Sequence, residues 1–212
     1  MKTPCIKICG LTRTEEADFL NKSRVNYAGF VFFEKSKRNV SFLQAKEIMN
    51  RLSPDVERVA VTVSPSEKLL EEIENTGFDI LQVHGELKPE ILEKSTLPIW
   101  RACNLKEPED IKKLEQHKKI TGYVIDAGNY GSGKTFDWNS SKAVLEEAKQ
   151  KVFAGKQFIL AGGLNSKNVA EGINTFSPDI VDVSSGVEGK CGKDKILIEE
   201  FIGKVREHGK NE

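Results

Sequence analysis

Residues 125–138 read IDAGNYGSGKTFDW. Taken as letters, Gly128, four residues and then Gly133-Lys134-Thr135 match the phosphate-binding P-loop. A working P-loop needs its Gly-Lys-Thr to open a helix, so that backbone N–H groups and the helix N-terminus can hold the phosphates. Here Phe136-Asp137-Trp138 come next. Helical spacing resumes only around SKAVLEEAK (141–149), after an expected cap at Asn139 or Ser140. The stretch therefore reads as the end of a strand, GYVIDAG (122–128), followed by a glycine-rich loop able to close over a ligand.

Working outward, seven further apolar runs share the form of GYVIDAG: CIKICG, YAGFVFF, RVAVTV, ILQVHG, PIWRAC, FILAGGL and IVDVSSG. Stretches of helical period lie between most of them, such as Ala45, Ile48, Met49 and Leu52, or Ile198, Phe201, Ile202 and Val205. The fifth and sixth intervals are less clear. Capping boxes are expected at Thr12 to Glu15, Ser41 to Gln44 and Ser64 to Glu67, the last with Pro65 at the first helical position.

Eight strand-plus-helix units of roughly 26 residues each fit a compact α/β chain, a (β/α)₈ TIM barrel near the lower size limit of that fold. An open doubly wound sheet would alternate too, but would carry a glycine fingerprint after its first strand, where this chain has CGLT. No linker or charge block divides the 212 residues, so one domain over 1–212 is expected.

The 32 basic and 32 acidic side chains cancel without long runs of either sign, which argues against nucleic acid or an anionic membrane as partner. The N-terminal MKTPCIKICGLTRTEE has no extended apolar stretch, and nothing reaches the roughly 20 apolar residues of a membrane span. A cytoplasmic protein with a small-molecule partner is the expectation, as a monomer or homodimer. Cys5, Cys9, Cys103 and Cys191 lack metal-type spacing and are read as free thiols, three of them packing residues.

In a barrel, function gathers at the C-terminal ends of the strands. Alternation puts Cys5, Lys7 and Cys9 inward on the first strand, with Cys9 nearest the mouth. A lone thiol in such a place is more often a small buried hydrophobe than a catalyst. An inward Lys7 needs a partner, and Asp182, inward on the adjacent eighth strand if Ser184 is inward, is the predicted one. Gln82 and His84 point inward on the fourth strand. Asp126 ends the sixth. Arg38 follows the second, where a guanidinium can bind a carboxylate through paired hydrogen bonds. Small residues after the last two strands, Gly162, Gly163, Ser184, Ser185 and Gly186, allow backbone N–H groups to approach an anion.

Together KICGLT, GFVFFEKSKRNVS, QVHG, Asp126 with GSGKTFDW, LAGGLNSKNV and VDVSSGVE with GKD make the chain resemble the phosphoribosylanthranilate isomerase family. The blocks run in family order from residue 5 to about residue 194. The resemblance implies an Amadori rearrangement of an aminoaldose phosphate, a step of tryptophan biosynthesis, with Asp126 as acid and Cys9 as base and with neither metal nor cofactor. It also implies that residues 131–138, Gly133 among them, form a mobile loop. Arg38 would meet the anthranilate carboxylate, His84 would line the anthranilate pocket, and Gly163 with Ser184, Ser185 and Gly186 would hold the phosphate. Positive charge near Cys9 is expected to favour its thiolate, and burial to raise the Asp126 carboxyl.

Tyr130, Glu34 and VTVSPS (61–66) depart from the family pattern, and bear on loop closure and affinity rather than on the acid and base. Two other readings compete. One is the related isomerase of histidine biosynthesis, which uses two aspartates where this chain has Cys9 on its first strand. The other is a phosphate-binding barrel without turnover, which would have no use for a thiol and a carboxyl at the reacting carbon.

Overall fold

A computed structural model describes residues 3–105, 108–112, 114–126 and 138–208. The strands β1 (Cys5–Cys9), β2 (Tyr27–Phe32), β3 (Glu57–Val63), β4 (Ile80–His84), β5 (Ile99–Cys103), β6 (Ile120–Asp126), β7 (Gln157–Ala161) and β8 (Ile180–Val183) are parallel and pair in chain order. β1 pairs with β8, so the sheet closes into a barrel as expected. The helices α1 (Thr14–Ser23), α2 (Phe42–Met49), α3 (Glu67–Thr76), α4 (Pro89–Lys94), α5 (Pro108–Ile111), α6 (Trp138–Lys151), α7 (Val169–Phe176) and α8 (Lys195–His208) follow the strands in turn.

Strand alternation separates two cores. One face, with Ile6, Ile8, Phe30, Leu81 and Leu160, meets the helices. The other, with Cys9, Tyr27, Val61, Ile80, Trp100, Val124 and Ile180, fills the barrel. Trp100 is fully buried, its ring 5.0 Å from that of Tyr27 and its Nε1 donating to Gln157 Oε1 at 3.1 Å. A Cβ at Gly122 would stand 2.9 Å from the Trp100 ring, so glycine there makes room for the indole. Gln157 opens β7, which places this plug at the N-terminal end and leaves the opposite mouth for chemistry.

The helix starts correct the sequence reading in three places. At α1 the cap comes from Glu16, whose Oε2 accepts the N–H groups of Thr12 and Arg13 at 2.7 and 3.1 Å, and not from a Thr12 to Glu15 box. Glu16 is fully buried, and a buried carboxylate binds N–H donors more strongly than a hydroxyl does. At α3 the N-cap is Ser66, which accepts from Leu69 N, while Ser64 adopts a left-handed φ of 48° and accepts from Glu86 N. At α6 the helix already includes Asn139 and Ser140. Only Ser41 caps as expected, accepting from Gln44 N at 3.1 Å. Of the thiols other than Cys9, Cys5 and Cys103 pack against the cores, whereas Cys191 is exposed and is not a packing residue.

Candidate active site

The site grows from the β1–β8 seam. The register sets Lys7 opposite Asp182, and Lys7 Nζ meets Asp182 Oδ2 at 2.7 Å, with the amine fully buried. The expected ion pair forms, because an amine inside a closed barrel has no water to turn to. Burial pulls the Lys7 amine down, but the charge and hydrogen bond of Asp182 together with Cys9 prevail and leave the amine above its ordinary range.

Two residues nearer the mouth on β1, Cys9 lies opposite Gly29, where a Cβ would stand 2.8 Å from its Sγ. Glycine on β2 is therefore what gives the thiol its space. The expectation of a lowered thiol is corrected. Burial raises Cys9 above the ordinary thiol range, and Lys7 and Lys193 offset this only in part, since Asp182 raises it further.

Gly10 follows Cys9 with φ +83°, and a Cβ there would meet Arg38 Cδ at 2.5 Å. The arginine stem thus lies directly over the residue after the thiol. Its guanidinium binds Glu188 in a fork, Nε to Oε1 and Nη2 to Oε2, the latter at 2.9 Å. Glu188 belongs to a hairpin not foreseen from the sequence, β9 (Glu188–Gly189) paired with β10 (Gly192–Lys193). Lys193 is fully buried and donates to Glu188 Oε1 at 2.8 Å, to Ser184 O at 3.1 Å and to Ser184 Oγ at 3.2 Å. Ser184 Oγ donates in turn to Cys9 O at 2.9 Å. Lys37 Nζ adds a contact to Glu188 Oε2 at 3.1 Å. Burial raises the Glu188 carboxyl, but the hydrogen bonds and charges of Arg38 and Lys193 prevail and hold it down at about 2.

Across the mouth, His84 Nε2 stands 2.8 Å from Gln82 Nε2. Burial first, then the charges of Lys7 and Arg101, push the imidazole down to about 3, so the ring is neutral. As oriented, the Gln82 amide donates and the ring accepts. Arg101 was not anticipated; it donates to Val83 O at 3.0 Å and Gly85 O at 2.6 Å, fixing the strand end that carries His84.

The loops after β7 and β8 touch. Gly162 and Gly163 have φ of 88° and 66°, which turns the chain at once beyond β7. A Cβ at Gly186 would strike the Leu164 carbonyl, and Ser185–Val187 form a single 3-10 turn directly after β8. Ser185 is exposed and Ser184 half-buried.

Asp126 closes β6 opposite Ala161, but its side chain falls outside the description, as do Gly133, Tyr130, Lys134 and the rest of 127–137. Cys9, Ser184 and Arg38 are joined through Lys193 and Glu188, the Lys7–Asp182 pair lies on the β1–β8 seam beneath Cys9, and Gln82 and His84 form a further pair at the same mouth. Glu188 and Lys193 were missed as site residues, although both lie in blocks whose order carried the family resemblance. Among the described residues no group of three or more His, Cys, Asp or Glu side chains could hold a metal ion.

A closed barrel with a thiol at its mouth, cations around it and small residues on its last two loops defines a barrel enzyme acting on a small anion. The model of the N-(5'-phosphoribosyl)anthranilate isomerase family matches residues 6–204, and the chain belongs to that family. The enzyme of that name from Clostridium kluyveri is 40% identical over 206 residues, covering 95% of this chain and 97% of its own. The crystal structure of phosphoribosyl anthranilate isomerase from Thermotoga maritima superposes with a TM-score of 0.83 at 33% identity, covering 96% of this chain and 99% of the other. A phosphoribosyl anthranilate isomerase in complex with reduced 1-(o-carboxyphenylamino)-1-deoxyribulose 5-phosphate superposes at 0.80 with 31% identity, over 96% of this chain and 99% of the other. The family's reaction is an isomerisation in tryptophan biosynthesis.

Proposed function

We propose that this chain, as one barrel domain over 1–212, converts N-(5-phosphoribosyl)anthranilate to 1-(2-carboxyphenylamino)-1-deoxyribulose 5-phosphate, with Asp126 as acid and Cys9 as base. Asp126 protonates the ribose ring oxygen as the C1′–O bond breaks, giving a protonated Schiff base. Cys9, its thiol proton released to solvent as the cationic Schiff base forms, then takes the C2′ proton as the thiolate, and the enolamine that results tautomerises to the ketone.

The observation that carries this reading is the charge balance at the mouth. Lys37, Arg38 and Lys193 surround one carboxylate, Glu188, leaving the cluster cationic where a substrate would bring a carboxylate and a phosphate. Glu188 occupies the Nε–Nη2 edge of Arg38, and no hydrogen bond from Nη1 is formed among the described residues. That second edge fits the anthranilate carboxylate. Gly162, Gly163, Ser184, Ser185 and Gly186 suit the phosphate, and Gly133 would close over it. His84 and Gln82 line the aromatic pocket, where a neutral ring avoids burying a further charge.

The raised Cys9 thiol gives the order of events a physical basis. A thiol above its ordinary range is a poor base in the empty site, but ring opening creates a cationic Schiff base beside it, which favours the thiolate. The acid step thus prepares the base step. Four free thiols accord with a reducing compartment, the cytoplasm, and no helix among the described residues is long and apolar enough to cross a membrane.

The test is the decay of phosphoribosylanthranilate fluorescence with substrate generated in situ. Decay with wild type and its loss in both Cys9→Ala and Asp126→Asn are expected. Decay in all three would keep the activity and move the roles elsewhere; none with folded wild type would overturn the reading in favour of the histidine-pathway isomerase or a binding barrel.

A further inference from the structure

Glu188 sits at the centre of a chain of contacts to which the acid and base assign no task. The chain runs from Arg38 through Glu188, Lys193 and Ser184 to the Cys9 carbonyl, and so joins the loops after β2 and β8 to the end of β1. Both Glu188 oxygens are used twice: Oε1 by Arg38 and Lys193, Oε2 by Arg38 and Lys37. All three Lys193 donors are spent within it. The Lys193 backbone is itself anchored, its N–H donating to Glu16 Oε1 at 2.8 Å and its carbonyl accepting from Arg13 Nη2 at 3.2 Å. Glu188 is thus a fixed point and not a loose surface carboxylate.

We propose that Glu188, held by Lys193, is the positioning residue that sets the guanidinium of Arg38 in the orientation that receives the substrate's aromatic carboxylate; this rests on the reading of Arg38 as the carboxylate-binding group. An arginine side chain has many rotamers, and ordering it on binding weakens affinity. A fork on the Nε–Nη2 edge fixes the plane of the guanidinium and directs the Nη1 edge away from Glu188, so the ordering is complete before the substrate arrives. Glycine at position 10 lets the stem lie flat over the end of β1.

The experiment compares two substrates, formed by condensing ribose 5-phosphate with anthranilate or with aniline, in wild type, Glu188→Gln, Arg38→Ala and the double variant. In Glu188→Gln the neutral amide keeps one acceptor oxygen and so cannot hold the Arg38 fork along with Lys37 and Lys193, and KM for the carboxylate-bearing substrate is expected to rise about tenfold or more, the scale of one lost charge-assisted hydrogen bond, with kcat little changed. KM for the aniline compound should be the same as in wild type, and Glu188→Gln should add nothing in the Arg38→Ala background. Equal losses on both substrates, or no loss on either, would overturn the proposal. A KM for the anthranilate compound that Arg38→Ala leaves unchanged would instead overturn the reading of Arg38 beneath it. Should Glu188→Gln not fold, Glu188→Asp carries the same comparison: it keeps the charge but is one methylene too short to hold the Arg38 fork.

Discussion

Lys7 on β1 and Asp182 on β8 face each other across the seam that closes the barrel, and their 2.7 Å ion pair lies almost entirely out of water. Breaking it by Asp182→Ala should cost about 3–5 kcal/mol, because an unpaired ammonium is left in the interior. Replacing both residues, Lys7→Met with Asp182→Leu, should recover most of that loss. Urea unfolding of the two single variants and the double checks this; additive losses would show that the pair is not coupled.

Cys9 should alkylate slowly. Burial raises the thiol, so the pH midpoint for reaction with iodoacetamide is expected above the roughly 8.5 of an ordinary cysteine. Lys7→Met should move it higher still. A midpoint below that of a free thiol would contradict both the burial argument and the proposed order of acid and base steps.

Gly10→Ala tests the closeness of Cys9 and Arg38. The left-handed φ of +83° alone costs roughly 1–2 kcal/mol for alanine, and the new methyl would displace the Arg38 stem. Stability measured by denaturant should fall by about that amount, while KM rises by more than Gly77→Ala produces. Gly77 also has positive φ, but no atom lies within 4 Å of a Cβ there.

His84 should stay neutral from pH 8 down to pH 5, since burial holds it at about 3. The sign follows directly: below about 6.5 the unfolded chain binds a proton that the native imidazole refuses, so stability falls as the pH falls through that range. His84→Gln should flatten this part of the stability profile, and the His84 ring proton shifts should not titrate over the same interval. A ring titrating near 6.5 would mean that water reaches it freely.

The barrel was legible in the chain because its signals are local. Eight apolar runs with alternating faces, CIKICG among them, specify strands whose inner and outer residues differ, and IDAGNYGSGKTFDW fell into place as a strand end once the period around it was read. Inward placement of Lys7 and Cys9 followed from alternation alone, and the adjacency of strands one and eight then identified Asp182. Helix starts were less legible: Glu16 and Ser66 won the capping at α1 and α3 because N–H groups take whichever acceptor packing brings nearest.

Site residues were legible only as single letters at strand ends. That Arg38 would be shared with Glu188, 150 residues away, has no signature in either neighbourhood; it depends on a two-strand hairpin that brings Glu188 and Lys193 together over the mouth. The direction of the Cys9 shift likewise had to wait for the tertiary structure. Strand period and order are written along the chain, so the closed barrel and the place of its mouth were legible there, while Glu188 and Lys193 at that mouth were not. Which charges meet there, and whether burial or a neighbouring cation governs the thiol, only tertiary structure decided, because both depend on distances between residues that the chain keeps far apart.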